Sequence, residues 1–143
     1  MNEHSVMPIK DMIKSIPDIL NNYHHIAIVG LSASPWKPSY GVAKYLLNAG
    51  YNIYPVNPNY DTVLNLKCYP TLETVPFPID IVNIFRKTDK VLSIVQDAIL
   101  INAKVVWMQQ GIIHDKAADL ALKAGLEVVM DRCIKIDHLH YFG

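Results

Sequence analysis

The sequence predicts an α/β protein in which a three-layer, doubly wound parallel sheet of about five strands lies between helices. Three observations predict this class. Short apolar runs alternate with longer segments of helical period along the 143 residues. The strand-like runs are apolar at consecutive positions, as in sheets that are covered on both faces. The composition, 51% apolar and 18% charged, excludes wholesale disorder and provides enough apolar surface for one domain.

Five segments have the character of buried strands. The first, 26–31, reads IAIVGL, and the third, 80–85, reads DIVNIF. The second is expected to stop at Asn57 and Pro58, because proline cannot donate to a central ladder. The predicted strands are Ile26–Leu31, Tyr51–Val56, Asp80–Phe85, Lys104–Met108 and Glu127–Met130.

The segments between these strands have helical spacing. After the first strand, a helix ended by Gly50 carries one apolar face, consisting of Val42, Tyr45, Leu46 and Ala49. A loop over 59–68 precedes a short helix at 71–75. Thr88 is expected to cap a helix whose inner side carries Val91, Val95, Ala98 and Asn102. A last helix is predicted over 115–124, ended by Gly125.

The two ends of the chain lie outside this alternation. Residues 1–24 form an N-terminal helical segment with a predicted helix over Ile9–Asn22, which Pro17 is expected to kink or restart. The C-terminal tail, residues 132–143, is too short for another βα unit. We therefore interpret residues 1–143 as a single domain.

Charge and cysteine usage exclude several classes of function. Thirteen basic and thirteen acidic residues give a net charge of zero, which disfavours a nucleic-acid or membrane-surface binder. No apolar run approaches a membrane span, and residues 1–10 lack the apolar core of a signal peptide. The two cysteines, Cys68 and Cys133, form no C-x-x-C pair. These features predict a cytoplasmic protein without a disulfide framework.

Ligands of doubly wound sheets bind beyond the carboxyl ends of the strands, so residues that follow each strand are candidate site residues. After the first strand, Gly30 permits a tight turn, and Ser32, Ser34 and the loop N–H groups are expected to hold phosphate at the next helix. Only the first glycine of G-x-G-x-x-G is present. A plain βα turn is therefore an equal alternative.

The next strand ends favour a heavily phosphorylated nucleotide. Asn57 stands where NAD-binding domains usually have an acid, and a neutral residue tolerates a phosphate on the ribose. The alternative is that Asn57 only supports the proline turn. Arg86 and Lys87, with Arg132 after the fifth strand and Lys37 in the first loop, are expected to form an electropositive patch. Taken singly, each of these cations is more typical of a solvated surface.

The remaining strand ends offer amides and a thiol. Gln109 or Gln110 is expected to read an adenine edge or a pantetheine amide, whereas Trp107 is predicted to be core. Cys133 is a candidate reactive thiol because the adjacent Arg132 would favour the thiolate, and a structural thiol is an equal alternative. There is no G-x-S-x-G elbow and no P-loop. The spacing of Cys133 and the C-terminal histidines fits no standard zinc pattern, so no metal is predicted.

Several blocks, in order and at the right spacing, carry a family resemblance. They are VGLS at 29–32, SYGVA at 39–43, PVNP at 55–58, IFR at 84–86, VWMQ at 106–109 followed by Gly111–Ile112, and MDRCIKI at 130–136. With these blocks the chain resembles the small single-domain CoA-binding proteins over about residues 26–138. Their Rossmann-like fold is similar to the CoA-binding domain of the succinyl-CoA synthetase α subunit. Asn65 replaces the family's usual Gly, which fits a left-handed turn, and Asp137 replaces Glu. Neither change is expected to touch the pocket.

The resemblance implies that the ligand is coenzyme A or an acyl-CoA. It implies that the loop 30–35 meets the diphosphate and adenosine region, that 56–58 and 85–87 line the nucleotide cleft, and that 109–111 lie along the pantetheine. Together with the cations and the thiol discussed above, the candidate cofactor-binding residues are Gly30, Ser32, Ala33, Ser34, Pro35, Lys37, Val56, Asn57, Pro58, Phe85, Arg86, Lys87, Gln109, Gln110, Gly111, Arg132 and Cys133.

A CoA-binding module without catalysis of its own is the leading hypothesis. The phosphorylated histidine of the larger synthetase comes from another domain, so that reaction is not implied. Three alternatives remain, namely a thiol- or acyl-exchange enzyme using Cys133, an NAD(P)-dependent oxidoreductase, and a structural or partner-binding role. A small-molecule partner is expected, nucleic acid and membrane are not, and homo-oligomerisation stays open.

Overall fold

A computed structural model describes residues 9–143 of the chain. The strands are β1 (His25–Val29), β2 (Asn52–Val56), β3 (Thr62–Val63), β4 (Leu66–Lys67), β5 (Ile81–Ile84), β6 (Val105–Met108) and β7 (Glu127–Val129). The helices are α1 (Ile9–Asn22), α2 (Pro38–Asn48), α3 (Thr88–Leu100), α4 (Asp115–Lys123) and α5 (Ile134–Phe142). A 3-10 turn spans Leu72–Thr74.

Five of the strands form one parallel sheet in the order β2-β1-β5-β6-β7. Ile26 of β1 pairs with Ile53 on one side and with Ile81 on the other. The chain thus leaves β1 towards β2 and later returns to the opposite side of β1, which puts the topological switch point between β1 and β5. The predicted doubly wound α/β class with five strands is confirmed.

Each face of the sheet has its own apolar core. Ile26 and Ile28 of β1 pack on the side of α1, α2 and α5, whereas Ala27 and Val29 pack on the side of α3 and α4. This alternation follows from the two-residue period of a strand and explains why the strands are apolar at consecutive positions. Trp107 is fully buried, as predicted, and its Nε1 donates to the Arg132 carbonyl oxygen at 2.8 Å.

The loop over 59–68 contains a hairpin that the sequence analysis did not predict. Strands β3 and β4 are antiparallel and are joined by Leu64 and Asn65, which have φ angles of 54° and 61°. Two consecutive left-handed residues match a two-residue hairpin turn. Asparagine tolerates this conformation better than most residues, so Asn65 occupies the left-handed turn expected of it.

Two predictions about the helices are wrong. Thr88 is the first residue of α3 rather than its cap, because Lys87 stands at the cap and makes no side-chain capping bond. Asn102 lies beyond the end of α3 in a left-handed turn, with φ 61°. Helix α1 continues through Pro17, so it does not restart there, and a kink at Pro17 stays a prediction.

The C-terminal segment, interpreted as a tail, is helical. Residues 134–142 form α5, which packs against α1 and α2. Ile134 is fully buried on the sheet, and Asp137 is buried beside it. As expected, residues 130–143 contain no further strand, and α5 adds to the helical layer on that face of the sheet.

Candidate functional site

The loops that follow β1, β2 and β5 meet at the switch point around Gly30. Its N–H donates to the Val56 carbonyl oxygen at 2.9 Å, and its φ is +90°. A Cβ at this position would clash with the Phe85 carbonyl oxygen and would lie 2.7 Å from Cδ of Arg86. Glycine is therefore required here both by the backbone conformation and by the close approach of the β5 loop.

The loop between β1 and α2 is stabilised by its own serines. Ser32 Oγ accepts from the Ser34 N–H, and the buried Ser39 Oγ accepts from the Ser32 N–H, each at 3.0 Å. These two N–H groups were expected to hold phosphate, yet both are used within the loop. Lys37, at the cap of α2, makes no side-chain capping bond and is exposed.

Asn57 is likewise used by the loop that it begins. Its Nδ2 donates to the Leu31 carbonyl oxygen at 3.1 Å, and its Oδ1 accepts from the Asn59 N–H at 2.9 Å. These bonds tie the β2 loop to the β1 loop. They match the alternative interpretation in which Asn57 supports the proline turn.

A cleft of about 190 Å³ opens between the ends of β1 and β2, the segment 70–72, and helix α3. Its apolar walls include Val29, Val56, Leu72 and Ile94. Its polar side chains are Arg86, Lys90, Ser93 and Asp97, and Pro58, Pro70 and Thr71 complete the lining. Of the predicted site residues, Val56, Pro58 and Arg86 line this cleft.

The contribution of α3 to the cleft was not predicted from the sequence. Lys90, Ser93, Ile94 and Asp97 recur at intervals of three and four residues, so they share one side of the helix. The adjacent side carries the core residues Val91, Val95 and Ala98. The polar periodicity was present in the sequence, but only the fold shows that this side of the helix meets a cleft.

The charges of the cleft are not neutralised within the described part of the chain. No ion pair or side-chain hydrogen bond joins Arg86 or Lys90 to another described residue. Cations without a protein partner in a cleft at strand ends form a suitable environment for an anion such as phosphate. Burial and the Glu73 carboxylate raise the pKa of Asp97 at the other end of the cleft.

The edge formed by β6 and β7 has a different character, beginning with Gln109. This side chain is buried, and its Oε1 accepts from Asn83 Nδ2 at 3.1 Å and from the Ile134 N–H at 3.0 Å. Gln109 therefore lies inside the fold and caps α5, where it does not reach the cleft. Its neighbours Gln110 and Gly111 are exposed, and the Gly111 N–H donates to Asp131 Oδ1 at 2.7 Å.

Arg132 forms an ion pair with Asp137. Its Nε and Nη2 donate to the two carboxylate oxygens of Asp137, both at 2.8 Å. This bidentate bond raises the pKa of Arg132, and Asp137 is only 3% exposed. Asp137, where the family's usual Glu is replaced, thus holds one of the predicted site residues, and that this change does not touch the pocket stays a prediction.

Cys133 lies half-buried at the first turn of α5 as a free thiol and packs against the core. The adjacent positive charge that was expected to favour its thiolate is paired with Asp137. Within residues 9–143, no group of three or more His, Cys, Asp or Glu side chains is arranged to hold a metal ion. The same part of the chain contains no helix long and apolar enough to cross a membrane.

The parallel sheet with its switch-point cleft places the protein in the class of Rossmann-like domains. More particularly, the chain belongs to the CoA binding domain family, whose sequence pattern matches residues 24–139. The uncharacterized protein YneT of Bacillus subtilis is 39% identical over 123 residues, which cover 86% of this chain and 91% of that protein. A hypothetical protein from Pyrococcus horikoshii has a similar structure, with a TM-score of 0.91 and 40% identity over the full length of both chains.

Larger enzymes contain a related domain. The ADP-forming acetate–CoA ligase of Methanocaldococcus jannaschii is 25% identical over 80% of this chain, but the match covers 18% of the ligase. The dinucleotide-forming acetyl-coenzyme A synthetase 1 of Ca. Korarchaeum cryptofilum has a TM-score of 0.71 and 29% identity over 80% of this chain and 27% of its own. The chain therefore corresponds to a small part of these enzymes.

Proposed function

We propose that the protein binds coenzyme A, or an acyl-CoA, with the nucleotide end of the ligand in the cleft between β1, β2 and α3. Family membership supports the ligand. The observation that supports the location is the pair of cations, Arg86 and Lys90, that line an apolar cleft at the switch point without a partner in residues 9–143. This charge is local, because the chain as a whole has a net charge of zero.

Each wall of the cleft has a role in this proposal. The adenine ring packs between the apolar side chains of the β1 and β2 ends and Ile94, since flat apolar surfaces suit a purine. Arg86 and Lys90 bind the 3′-phosphate, for which a guanidinium group offers two parallel hydrogen bonds. The tight turn at Gly30 brings the β1 loop to the diphosphate, and the pantetheine extends along the exposed loop at Gln110 and Gly111.

We propose binding without catalysis as the role of this domain. Gln109 and Arg132, which follow β6 and β7, are held by the first turn of α5. Groups that are fixed in this way position the loops rather than transfer protons or acyl groups. The remaining predicted residues border the ligand path in the proposal; they are Ser32, Ala33, Ser34, Pro35, Lys37, Asn57, Phe85, Lys87 and Cys133.

A thermal-shift panel tests the ligand. CoA, dephospho-CoA, acetyl-CoA, NAD and NADP are compared at equal concentration. A ligand at 100 times its Kd adds about 2.7 kcal/mol of stability, which raises the Tm by several degrees. We expect stabilisation by CoA and acetyl-CoA and a smaller shift with dephospho-CoA. Stabilisation by NAD or NADP alone would indicate an oxidoreductase, and no shift with any ligand would refute the proposal.

A further inference from the structure

The proposed cleft carries opposite charges at its two ends, which lie along α3. Arg86 and Lys90 lie at the end of the cleft near the first turn of this helix. Asp97 lines the same cleft seven positions after Lys90. Seven residues of α-helix advance about 10 Å along the axis and return to nearly the same side. The cleft is therefore cationic at one end and anionic at the other, with Ile94 and the apolar strand ends between them.

At the anionic end, no donor of residues 9–143 is bonded to the Asp97 carboxylate. Asp97 is half-buried, and no hydrogen bond or ion pair joins its carboxylate to another described residue. The charged group that affects it most is the Glu73 carboxylate, which repels it. A partly desolvated carboxylate without a donor is a binding site for an N–H group of a ligand.

We propose that Asp97 selects the base of the bound nucleotide by accepting a hydrogen bond from the exocyclic amino group of adenine. This inference rests on the proposed CoA-binding function and deepens it. Phosphate at Arg86 and Lys90 fixes the ribose end, the apolar walls hold the ring, and Asp97 meets the 6-position. A 6-oxo purine presents a carbonyl oxygen there instead, which the carboxylate repels. Base recognition is thereby assigned to α3 rather than to Gln109 at the β6 edge.

The test compares CoA with its analogue in which hypoxanthine replaces adenine, using isothermal titration calorimetry. We expect the wild-type protein to bind CoA about 10- to 100-fold more tightly than the 6-oxo analogue, the range for a hydrogen bond to a charged group. In Asp97→Asn the amide accepts from a 6-amino group or donates to a 6-oxo group. The ratio of the two Kd values is therefore expected to fall below about threefold.

Asp115→Asn is the matched control, because Asp115 is an exposed acid at the start of α4 and does not line the cleft. It is expected to keep the wild-type ratio. Since the result is a ratio within one variant, a modest loss of folded protein does not alter it. Equal binding of the two ligands by the wild-type protein, or an unchanged ratio in Asp97→Asn, would overturn the inference while leaving CoA binding intact. Failure of the wild-type protein to bind CoA would overturn the proposed function and this inference with it.

Discussion

The two halves of the sheet's carboxyl edge use similar residues in opposite ways. Beyond β1, β2 and β5, Arg86 and Lys90 line an open cleft without a partner among the described residues. Beyond β6 and β7, Gln109 and Arg132 are bonded to α5 through the Ile134 N–H and the Asp137 carboxylate. An arginine at a strand end is thus a candidate ligand-binding group only where the fold leaves it unpaired. The presence of α5 explains the difference between the halves.

The half of the edge beyond β1, β2 and β5 is called the open half below. The largest effect on it is expected from a change at Gly30, where its three loops meet. Gly30→Ala is expected to destabilise the protein by about 4 kcal/mol or more. The new Cβ would clash with the backbone at the end of β5, and the alanine would have to adopt a left-handed φ. Chemical denaturation measures this loss. Gly50→Ala is the control, since Gly50 also has a positive φ but a Cβ there meets nothing within 4 Å. Its loss is expected to be about 1–2 kcal/mol, and equal losses at the two positions would contradict the close approach.

A smaller effect separates binding from folding in the open half. Arg86→Ala is expected to weaken CoA binding by about 1.5–3 kcal/mol, because a bond to a charged phosphate is lost. The free energy of unfolding should change little, since Arg86 has no partner among the described residues. Calorimetry and denaturation give the two quantities. Lys123→Ala removes an exposed cation of α4 as the control, and an unchanged affinity in Arg86→Ala would disprove the phosphate assignment.

The half of the edge beyond β6 and β7 is called the closed half. A change in its Arg132–Asp137 pair is expected to lower stability and to leave the affinity for CoA nearly unchanged. Asp137→Asn should destabilise the protein by about 2 kcal/mol, because it weakens a bidentate bond in which the carboxylate is buried and Arg132 is partly exposed. Its CoA affinity should stay within about twofold of the wild-type value, since the pair lies outside the proposed cleft. Lys123→Ala breaks the ion pair between the exposed Lys123 and the partly exposed Asp119 and should cost less than about 1 kcal/mol. A large loss of affinity in Asp137→Asn would place the Arg132–Asp137 pair in the binding site.

The smallest expected effect concerns the packing of α5 on α2 at acidic pH. His138 Nδ1 lies 2.7 Å from the Tyr45 hydroxyl, and burial lowers the pKa of His138. The unfolded chain protonates this histidine near its ordinary pKa of about 6.5, whereas the folded protein resists protonation. Stability is therefore lost as the pH falls below about 6.5, and the loss levels off once the folded histidine is protonated.

Denaturation at about pH 7.5 and pH 5.5 measures this dependence, for which one group contributes at most about 1.4 kcal/mol per pH unit. His138→Gln should reduce the loss by under about 1 kcal/mol. The exposed His140→Gln serves as the control and should keep the wild-type profile. Burial also raises the pKa of Glu127 and of Asp97, which act in the opposite direction, so the difference between variants is the informative quantity. Identical profiles for the wild type and His138→Gln would contradict the role of His138.

The sequence predicted the sheet well because strand signals are local. Consecutive apolar residues and the glycine after β1 report burial and turn geometry directly, and Arg86 followed from its place after a strand. Helix α5 was missed because its apolar residues do not lie on one side. Ile134 is buried, whereas Ile136 and Leu139 are exposed. Because its apolar residues do not recur with the period of a helix, the segment was interpreted as a tail.

Which strand-end residues line the cleft and which are bonded within the fold could not be predicted from their positions after the strands. Gln109 and Ile134 are 25 residues apart, and only the folded sheet brings the amide to the helix. The cleft wall on α3 could not be predicted for a similar reason. In the sequence, Lys90 and Asp97 are typical of a solvated helix surface, and only the fold places the segment 70–72 opposite them. Sequence position identifies the candidates, and tertiary pairing decides which of them are available to a ligand.

The most direct test of the open cleft compares CoA with dephospho-CoA on the wild-type protein, Arg86→Ala and Asp137→Asn by calorimetry. Loss of the 3′-phosphate should weaken binding to the wild type and to Asp137→Asn by about tenfold or more, as expected for a lost charged hydrogen bond. In Arg86→Ala the two ligands should bind within about threefold of each other, because most of the interaction with that phosphate is already absent. A wild-type ratio that survives in Arg86→Ala would contradict the assignment of the cleft as the site of the nucleotide.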